Sequence, residues 1–483
     1  MSEMFANLIG GDWVPGSDTI ENLNPSDLSD VIGDYAQADL DQLGDAISAA
    51  RAALPACREM ALEARQRSLD SIGRELMARA GELGTLLSRE EGKPLAEGKG
   101  EVYRAGQFFT YFAAEVLRQI GQNADSVRPG IEIDVRREPM GVVGVISPWN
   151  FPTATASWKI APALAFGNAV IWKPANQTPA SAWALAEIIS RAGLPEAAFQ
   201  LVMGPGSIVG NGLSGHPGID AVTLTGSYAV GRQVAAAAAS NLTKFQLELG
   251  SKNALLVMDD AEIDLAVGAA LAGGYSGSGQ KCTASSRLLV HADVHDVFVE
   301  KLASAISKLN VGHALEEGTE VGPVVSAGQL QSNLEWMDRA KAAGAEIVTG
   351  GKRLTLANDG YYMSPALLVA TTNDMALNRE EMFAPIAAVQ RIGCYEEGLA
   401  IANDTDYGLV AGIFTKSLSR ATHFRRNVET GCVTVNLATA GTDYHVPFGG
   451  RKNSSFGPRE QGRAAIEFYT QIKTAYIRAG EPE

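Results

Sequence analysis

Short apolar runs alternate with longer, helix-like segments through the middle of the chain. Each run has the length of a buried strand, and the segments after the first two runs place apolar residues at helical spacing. Because parallel neighbouring strands need a crossover between them, this order predicts α/β architecture with parallel sheets, as in dinucleotide-binding folds. The apolar runs are residues 142–146, 169–172, 199–203 and 221–225, and the helical segments are residues 153–164 and 180–192.

The same alternation continues on both sides of this region. Amphipathic helices are predicted before it, and a second α/β block is predicted to start near Ser251. Residues 127–137 alternate polar and apolar side chains, which predicts a strand exposed on both faces. The other predicted helices are residues 39–54, 61–87, 97–118 and 295–309, and the other predicted strands are residues 254–257, 286–290, 381–389, 410–415 and 431–436.

Composition narrows the class of protein. The chain has 483 residues, of which 46% are hydrophobic and 20% charged, so a large core is available. The net charge of −15 argues against partners such as nucleic acid or an anionic membrane. Residues 139–158 carry no charge and are long enough to span a bilayer, but their glycines and prolines favour a strand, a turn and a helix.

The four cysteines, Cys57, Cys282, Cys394 and Cys432, are far apart in sequence. None forms a CxxC pair, so neither a metal site nor a disulfide framework is expected, and a reduced, cytoplasmic setting fits. The start Met1-Ser2-Glu3 shows no basic-then-apolar signal pattern. We interpret Cys57, Cys394 and Cys432 as packing residues.

Cys282 differs from the other cysteines in its surroundings. A lone cysteine is by default a buried structural thiol. The residues around Cys282, in the run Gly277-Ser278-Gly279-Gln280-Lys281-Cys282-Thr283, favour tight backbone at a cleft, which suits a reactive thiol. A thiolate attacks carbonyl carbons, so this segment is a candidate nucleophile site.

Two polar residues are candidate partners for that thiol. Glu248 lies 22 residues after Gly226, near the place of a ribose-binding acid in dinucleotide folds, but it also suits a general base; we favour the base. Asn150 stands between Pro148 and Pro152, where a stiff backbone would fix a neutral donor for an oxyanion. The simpler interpretations are a solvated surface acid and a turn asparagine.

Together these segments resemble the aldehyde dehydrogenase superfamily, and the resemblance runs nearly end to end. The matching motifs are Pro-Trp-Asn-Phe-Pro at 148–152, Thr-Gly-Ser at 225–227, Glu-Leu-Gly at 248–250, the Cys282 segment, Glu-Met-Phe-Ala-Pro at 381–385 and Pro-Phe-Gly-Gly at 447–450. The resemblance implies that Cys282 attacks an aldehyde, that Asn150 and the Cys282 N–H hold the oxyanion, and that Glu248 activates the water that releases the acid. Lys159 and Glu460 match the pair linked to proton exit.

The resemblance also implies a nicotinamide cofactor. Lys173 resembles the family's ribose-contacting lysine, and Glu381 and Phe383 would contact the nicotinamide ribose and ring. Asn176 stands where many NAD-preferring relatives carry a glutamate; lacking that charge, the site should tolerate a 2′-phosphate, so we expect NADP preference or dual use of NADP and NAD. The remaining cofactor candidates are Ile146, Ser147, Pro148, Trp149, Ala175, Gly206, Gly210, Thr225, Gly226, Ser227, Val230, Leu249 and Gly250.

The substrate is suggested by fewer residues. Trp158 stands where succinate-semialdehyde enzymes typically carry an arginine, which disfavours succinate semialdehyde or another aldehyde as the substrate without excluding it. Residues 279–284, together with residues 454–455 and 459–462, are similar to bacterial α-ketoglutaric semialdehyde dehydrogenases, which implies oxidation of that semialdehyde to 2-oxoglutarate. Lys281 could offer charge to an anionic substrate or face solvent. The loop 437–444 is expected to shape the pocket mouth. The candidate substrate residues are Trp158, Lys281, Thr283, Thr439 and Thr442.

The resemblance implies three structural parts and a homodimer or homotetramer. Residues 1–117 and 137–249 would bind the dinucleotide, residues 250–455 would be catalytic, and residues 125–136 and 456–483 would form a small oligomerisation sheet. Two other functions are a non-catalytic cofactor-binding protein on this fold and a thiol hydrolase. The intact set Asn150, Glu248 and Cys282 opposes the first, and the lack of a histidine in any motif opposes the second.

Overall fold

The computed structural model describes residues 4–480, in which strands and helices alternate along most of the length. Residues 1–3 and 481–483, including the start Met1-Ser2-Glu3 and the outer ends of the predicted domains, lie outside this range. The strands are β1 Met4–Phe5, β2 Asn7–Ile9, β3 Asp12–Val14, β4 Asp18–Asn24, β5 Asp27–Gln37, β6 Gln122–Asp125, β7 Glu132–Pro139, β8 Val142–Ile146, β9 Ala169–Lys173, β10 Phe199–Leu201, β11 Ala221–Thr225, β12 Lys244–Glu248, β13 Asn253–Val257, β14 Ser285–His291, β15 Glu346–Thr349, β16 Ala366–Val369, β17 Ile386–Ile392, β18 Tyr407–Gly408, β19 Val410–Phe414, β20 Cys432–Val435, β21 Arg451–Lys452, β22 Ser455–Phe456 and β23 Thr470–Ile477. The α-helices are α1 Leu40–Glu59, α2 Leu62–Ala78, α3 Ala80–Glu91, α4 Leu95–Val116, α5 Ala154–Ala165, α6 Pro179–Ser190, α7 Asn211–Gly215, α8 Tyr228–Ser240, α9 Ile263–Tyr275, α10 Ala292–Ser307, α11 Ala327–Ala342, α12 Ala376–Arg379, α13 Tyr395–Asn403, α14 Leu418–Asn427 and α15 Ile466–Tyr469.

The first large sheet has eight strands in the order β22-β12-β11-β8-β9-β10-β2-β3. The five strands from β12 to β10 run parallel. Because side chains alternate along a strand, Val143 and Val145 of β8 pack under α4, α5 and α6, while Val142 and Ile146 pack under α1, α7 and α8. Helices therefore bury both faces of this sheet, as parallel sheets require, and the predicted α/β architecture with parallel sheets is confirmed.

The second large sheet has seven strands in the order β15-β16-β17-β14-β13-β19-β20. All its neighbours pair in parallel except β15 with β16. Helices α9 and α10 pack on one face, and α13 and α14 pack on the other. Residues 249–252 connect the last parallel strand of the first sheet, β12, to β13 of the second, so the end of β12 lies where the two sheets meet.

A small antiparallel sheet in the order β23-β7-β6 stands apart from these two. The predicted continuous strand at residues 127–137 is wrong at its start: Pro129 and Gly130, the latter with φ of +72°, make a turn, and the strand begins at Glu132. Strand β23 exposes Ile472, Tyr476 and Ile477.

Other differences from the predicted elements have local causes. The helix predicted over 61–87 is two helices that meet at Arg79. The strand predicted from residue 381 begins only at Ile386, because residues 381–385 form a loop that ends in Pro385. Cys394, predicted to pack, is exposed at the start of α13, because it precedes the first helical turn.

The charge-free run at residues 139–158 forms β8, a loop and the start of α5, as the prolines predicted. Between residues 4 and 480 no helix combines the length and the apolar character needed to cross a membrane.

Candidate active site

The loop that carries Cys282 follows α9 and has an unusual backbone. Gly277, Ser278 and Gly279 have positive φ angles of 57°, 53° and 66° in succession. A Cβ on Gly279 would lie 2.2 Å from the carbonyl oxygen of Ala384, so only glycine allows this contact. The loop therefore lies directly against residues 381–385.

Hydrogen bonds hold this loop in place from several elements. The Cys282 carbonyl accepts from the Ser251 hydroxyl and from Asn253 Nδ2 at 2.7 Å. Asn150 Nδ2 donates to the Gln280 carbonyl at 2.9 Å, and the Gln280 side chain accepts from the Val325 N–H at 3.1 Å. The amide of Asn150 is thus fixed two residues from the cysteine, and one of its two N–H groups remains for another acceptor.

The Cys282 thiol is half-buried and borders two cavities. Burial, reinforced by the carboxylates of Glu381 and Glu248, raises the pKa of Cys282 to about 12. The thiol is consequently protonated at neutral pH, and a nucleophilic role requires a base to take its proton.

The two cavities meet at the cysteine. The first, of about 350 Å³, is bordered by the ends of β11 and β12 in the first sheet and by the loops that precede β17 and β19 of the second. The second, of about 470 Å³, lies beside α4 and the loop after β20. Such a junction lets two ligands approach one atom from different sides. The residues that border both cavities are Phe151, Trp158, Cys282 and Phe448.

Glu248 ends strand β12 and borders the first cavity together with Cys282. Its Oε2 accepts from the Ser455 hydroxyl at 2.5 Å, while its Oε1 has no protein partner among the described residues. Burial raises the pKa of Glu248 well above its usual range, and the Glu460 carboxylate adds to the shift. A desolvated carboxylate with a free oxygen at the same cavity as the cysteine is suited to take up a proton. Of the two roles considered for Glu248, this favours the general base over the ribose-binding acid.

Lys159 and Glu460 form a buried ion pair behind Glu248. Lys159 Nζ also donates to the Thr223 hydroxyl at 2.8 Å, and Thr223 lies on β11 beside β12. Glu460 Oε2 has no protein partner among residues 4–480. The pair does not border either cavity, so any role in proton exit is indirect.

Most predicted cofactor residues lie at the carboxyl edge of the first sheet, where β8, β9 and β11 end. Gly206 and Gly210 instead lie in a single helical turn after β10, and both have open space at Cβ. The predicted cofactor residues that border the first cavity are Pro148, Trp149, Thr225, Gly226, Ser227, Leu249, Gly250, Glu381 and Phe383. The predicted cofactor residues outside it are Ile146, Ser147, Lys173, Ala175, Asn176, Gly206, Gly210 and Val230.

Two features of this edge fit a nicotinamide dinucleotide. Lys173 is 6% exposed. Its ammonium donates to the Pro174 carbonyl at 2.8 Å, the acceptor recorded for it within the described chain, so further donors remain. Glu381 Oε1 accepts from the Ser251 N–H at 2.9 Å, and a Cβ on Gly250 would come within 2.4 Å of Glu381 Oε2. Burial raises the pKa of Glu381 to about 7.

The predicted substrate residues differ in whether they border a cavity. Trp158 borders both cavities, and Lys281, Thr283 and Thr442 border the second. Thr439 borders neither: its buried hydroxyl donates to the Thr283 carbonyl at 2.7 Å and pairs with Ser285 Oγ at 2.6 Å. A direct substrate contact by Thr439 is therefore wrong, because local hydrogen bonds use its side chain.

Some residues at the cavities were missed from the sequence. Helix α11 contributes Gln329, Ser332 and Trp336 to the first cavity. Ser326 accepting from the Gln329 N–H is a helix start that could have identified it. Arg104 of α4 borders the second cavity, with no sequence signal beyond its charge. In the described part of the chain no His, Cys, Asp and Glu side chains are grouped to hold a metal ion.

The chain is similar in sequence and in structure to known proteins. Residues 13–475 match the sequence profile of the Aldehyde dehydrogenase family. The chain is 38% identical over 478 residues to the alpha-ketoglutaric semialdehyde dehydrogenase of Bacillus subtilis (strain 168), covering 98% of each. It is 40% identical over 481 residues to the alpha-ketoglutarate semialdehyde dehydrogenase of Haloferax volcanii, covering 99% of each. The betaine aldehyde dehydrogenase of Staphylococcus aureus in complex with NAD+ has a TM-score of 0.96 at 33% identity, covering 99% of this chain and 96% of that one.

Proposed function

The chain belongs to the aldehyde dehydrogenase family, and from that premise we propose that it oxidises α-ketoglutaric semialdehyde (2,5-dioxovalerate) to 2-oxoglutarate with NADP or NAD. The observation that carries this proposal is the position of Cys282 where two cavities meet, with Glu248 bordering one of them. One cavity serves the cofactor and the other serves the aldehyde. The proposed substrate is the one named for the two relatives from Bacillus subtilis and Haloferax volcanii.

The first chemical step belongs to Cys282 and the groups around it. Glu248 takes the thiol proton, and Cys282 Sγ forms a bond to the aldehyde carbon as the carbonyl π electrons move to oxygen. Asn150 Nδ2 and the Cys282 N–H donate to the resulting oxyanion. The nicotinamide, when bound, supplies the acceptor for the hydride that leaves the same carbon.

The second half of the reaction releases the acid. The acyl group is now a thioester on Cys282, and Glu248 passes its first proton onward before it acts again. It then removes a proton from water, whose oxygen attacks the thioester carbon, and the Cys282 thiolate departs. The buried ion pair of Lys159 and Glu460 lies behind Glu248 and would assist indirectly in moving that proton out of the site.

The cofactor would be held along the carboxyl edge of the first sheet. Lys173 and Glu381 have the donors and the acceptor oxygens that ribose hydroxyls need. Ser227 caps the 13-residue helix α8, whose N-terminal N–H groups suit a pyrophosphate. Phe383 stands edge-on to Trp149, with ring centroids 5.4 Å apart, beside the cysteine.

Substrate preference tests the proposed activity. We expect kcat/KM for 2,5-dioxovalerate to exceed that for pentanal, an uncharged aldehyde of equal chain length, by about 10-fold or more, because a carboxylate adds charge-assisted bonds. Initial rates of reduced-cofactor formation measure this. Succinate semialdehyde tests the nearest alternative substrate, and a higher kcat/KM for pentanal would refute the semialdehyde proposal.

Asn176 tests the cofactor preference. Its Nδ2 donates to Gln37 Oε1 at 3.2 Å, so this position is neutral and polar. Asn176→Glu is expected to lower kcat/KM with NADP by about 10-fold or more while sparing NAD, because a carboxylate repels a 2′-phosphate. Asn176→Gln is the neutral control. A large NAD preference in the wild-type enzyme would contradict the expected NADP preference or dual use.

The remaining proposals concern assembly, compartment and the rival functions. The apolar residues Ile472, Tyr476 and Ile477 on β23 support a homodimer or homotetramer formed through the small sheet. Four free cysteines support a cytoplasmic location. Among the described residues no histidine borders either cavity, which opposes a thiol hydrolase. A non-catalytic role is opposed because both cavities open onto Cys282.

A further inference from the structure

The second cavity is bordered by a guanidinium that forms no ion pair with a carboxylate among residues 4–480. Arg104 of α4 is half-buried and borders this cavity together with Cys282. Among the described residues its recorded contact is the ring of Tyr444, with Cζ 5.4 Å from the centroid, and it has no carboxylate partner. A half-buried guanidinium at the border of a cavity, with its donors not taken by a carboxylate, suits an anionic ligand.

The carboxylates nearest this cavity are already engaged. Glu101 accepts from Lys93 Nζ at 2.7 Å and from the N–H groups of Thr153 and Ala154 at 3.0 and 3.1 Å. Glu97 accepts from the Gly277 N–H at 3.0 Å, on the Cys282 loop. Neither forms an ion pair with Arg104, so the donors of its guanidinium are not taken up by the carboxylates that border the same cavity.

Lys281, the other cation at this cavity, is less available. Its ammonium donates to the Ser276 hydroxyl and lies 3.5 Å from the Ala272 carbonyl. Burial lowers the pKa of Lys281. Arginine keeps its charge at any ordinary pH and presents a planar fork that matches a carboxylate, so Arg104 is the better anion ligand of the two.

The rest of the cavity wall separates this cation from the reacting thiol. Phe108, Trp158 and Phe448 form an aromatic series, with centroids 5.9 and 5.6 Å apart, that runs to Cys282. The cavity of about 470 Å³ thus offers a cation, an apolar wall and a nucleophile. A short chain with a carboxylate at one end and an aldehyde at the other matches that order.

We propose that Arg104 binds the distal carboxylate of the substrate and so sets the preference for ω-carboxylated aldehydes, an inference that rests on the proposed semialdehyde oxidation. Trp158 supplies no charge at the position discussed for succinate-semialdehyde enzymes. Tyr444, from the loop after β20, holds the guanidinium in place by its ring.

Kinetics of Arg104→Met test this directly. We expect kcat/KM for 2,5-dioxovalerate to fall by roughly 10- to 100-fold, mainly through KM, because a charge-assisted bond made in ground and transition states alike is lost. The rate with pentanal should stay within about two-fold of wild type, and Arg104→Lys should recover part of the loss. Lys99→Met, which removes a cation from an exposed site on the same helix, is the matched control. The inference is overturned if Arg104→Met leaves kcat/KM for 2,5-dioxovalerate unchanged, or if it lowers kcat/KM equally for 2,5-dioxovalerate and pentanal.

A second measurement separates this inference from the proposed function. Without any cofactor, 2-oxoglutarate should slow the alkylation of Cys282 by iodoacetamide in the wild-type protein and not in Arg104→Met. If wild-type rates show no preference for semialdehydes but this protection is seen, the proposed substrate fails and the anion site stands. If 2-oxoglutarate slows alkylation of Cys282 in neither the wild-type protein nor Arg104→Met, the role of Arg104 is overturned, whichever substrate the wild-type enzyme prefers.

Discussion

Cys282→Ala is expected to abolish aldehyde oxidation, with kcat reduced on the order of 10⁴-fold or more. The loss follows because no other described group borders both cavities with a nucleophilic atom: the remaining shared residues are Phe151, Trp158 and Phe448. Steady-state formation of reduced cofactor measures the change. Binding of the cofactor, followed by fluorescence, should persist, since the substitution removes only a sulfur atom.

Two other thiols provide controls for this result. Cys432 packs in the same small apolar cluster as Cys282, so Cys432→Ala removes a comparable half-buried thiol without a proposed chemical role. Cys394→Ala removes an exposed one. Both should retain most of the activity, and the loss of activity on alkylation should follow modification of Cys282 rather than of the other thiols. Turnover by Cys282→Ala above about 1% of wild type would refute the nucleophile assignment, since the expected loss is far larger.

The fold could be predicted where periodicity is strong. The apolar runs of β8, β9 and β11 are buried on both faces of a sheet, so their composition alone identified them. Strands β4 and β5 were missed because polar residues alternate irregularly along them and their pairing shifts register. Helix α9 was missed because its small residues give little amphipathic contrast.

The site was predictable to the extent that chemistry depends on residue type. Cys282, Glu248 and Asn150 were identified from their segments, and the fold brings these segments to one place: Asn150 bonds Gln280 across 130 residues. Thr439 and Arg104 show the limit. The hydroxyl of Thr439 donates to a local carbonyl instead of facing the cavity. Arg104 became a candidate only because α4 places it beside the cavity and no carboxylate in the described part of the chain pairs with it. Such outcomes depend on packing between distant segments, which no local pattern encodes.

Glu248→Gln is expected to uncouple the two halves of the reaction. The amide oxygen can still accept from Ser455, so the position stays filled, but it cannot take a proton from water. We expect kcat to fall by about 10²- to 10⁴-fold, with one equivalent of reduced cofactor formed per chain before turnover stalls. The stalled species should carry an acyl group on Cys282, which intact-protein mass spectrometry detects.

The pH dependence of this variant gives a sharper test. Burial raises the pKa of Glu248, so in the wild-type enzyme the carboxylate is lost by protonation at a higher pH than for an ordinary glutamate, and kcat should fall on that acidic limb. Glu248→Gln has no such group, and its slow phase should lack the limb. Its burst should quicken as pH rises toward the pKa of Cys282, which burial and the Glu381 carboxylate still raise in this variant, because hydroxide then replaces Glu248 in removing the thiol proton. Ser455→Ala is the control: it keeps the carboxylate but removes its donor, so the acidic limb should move to higher pH while turnover continues. A steady-state rate near wild type in Glu248→Gln would show that another group activates the water.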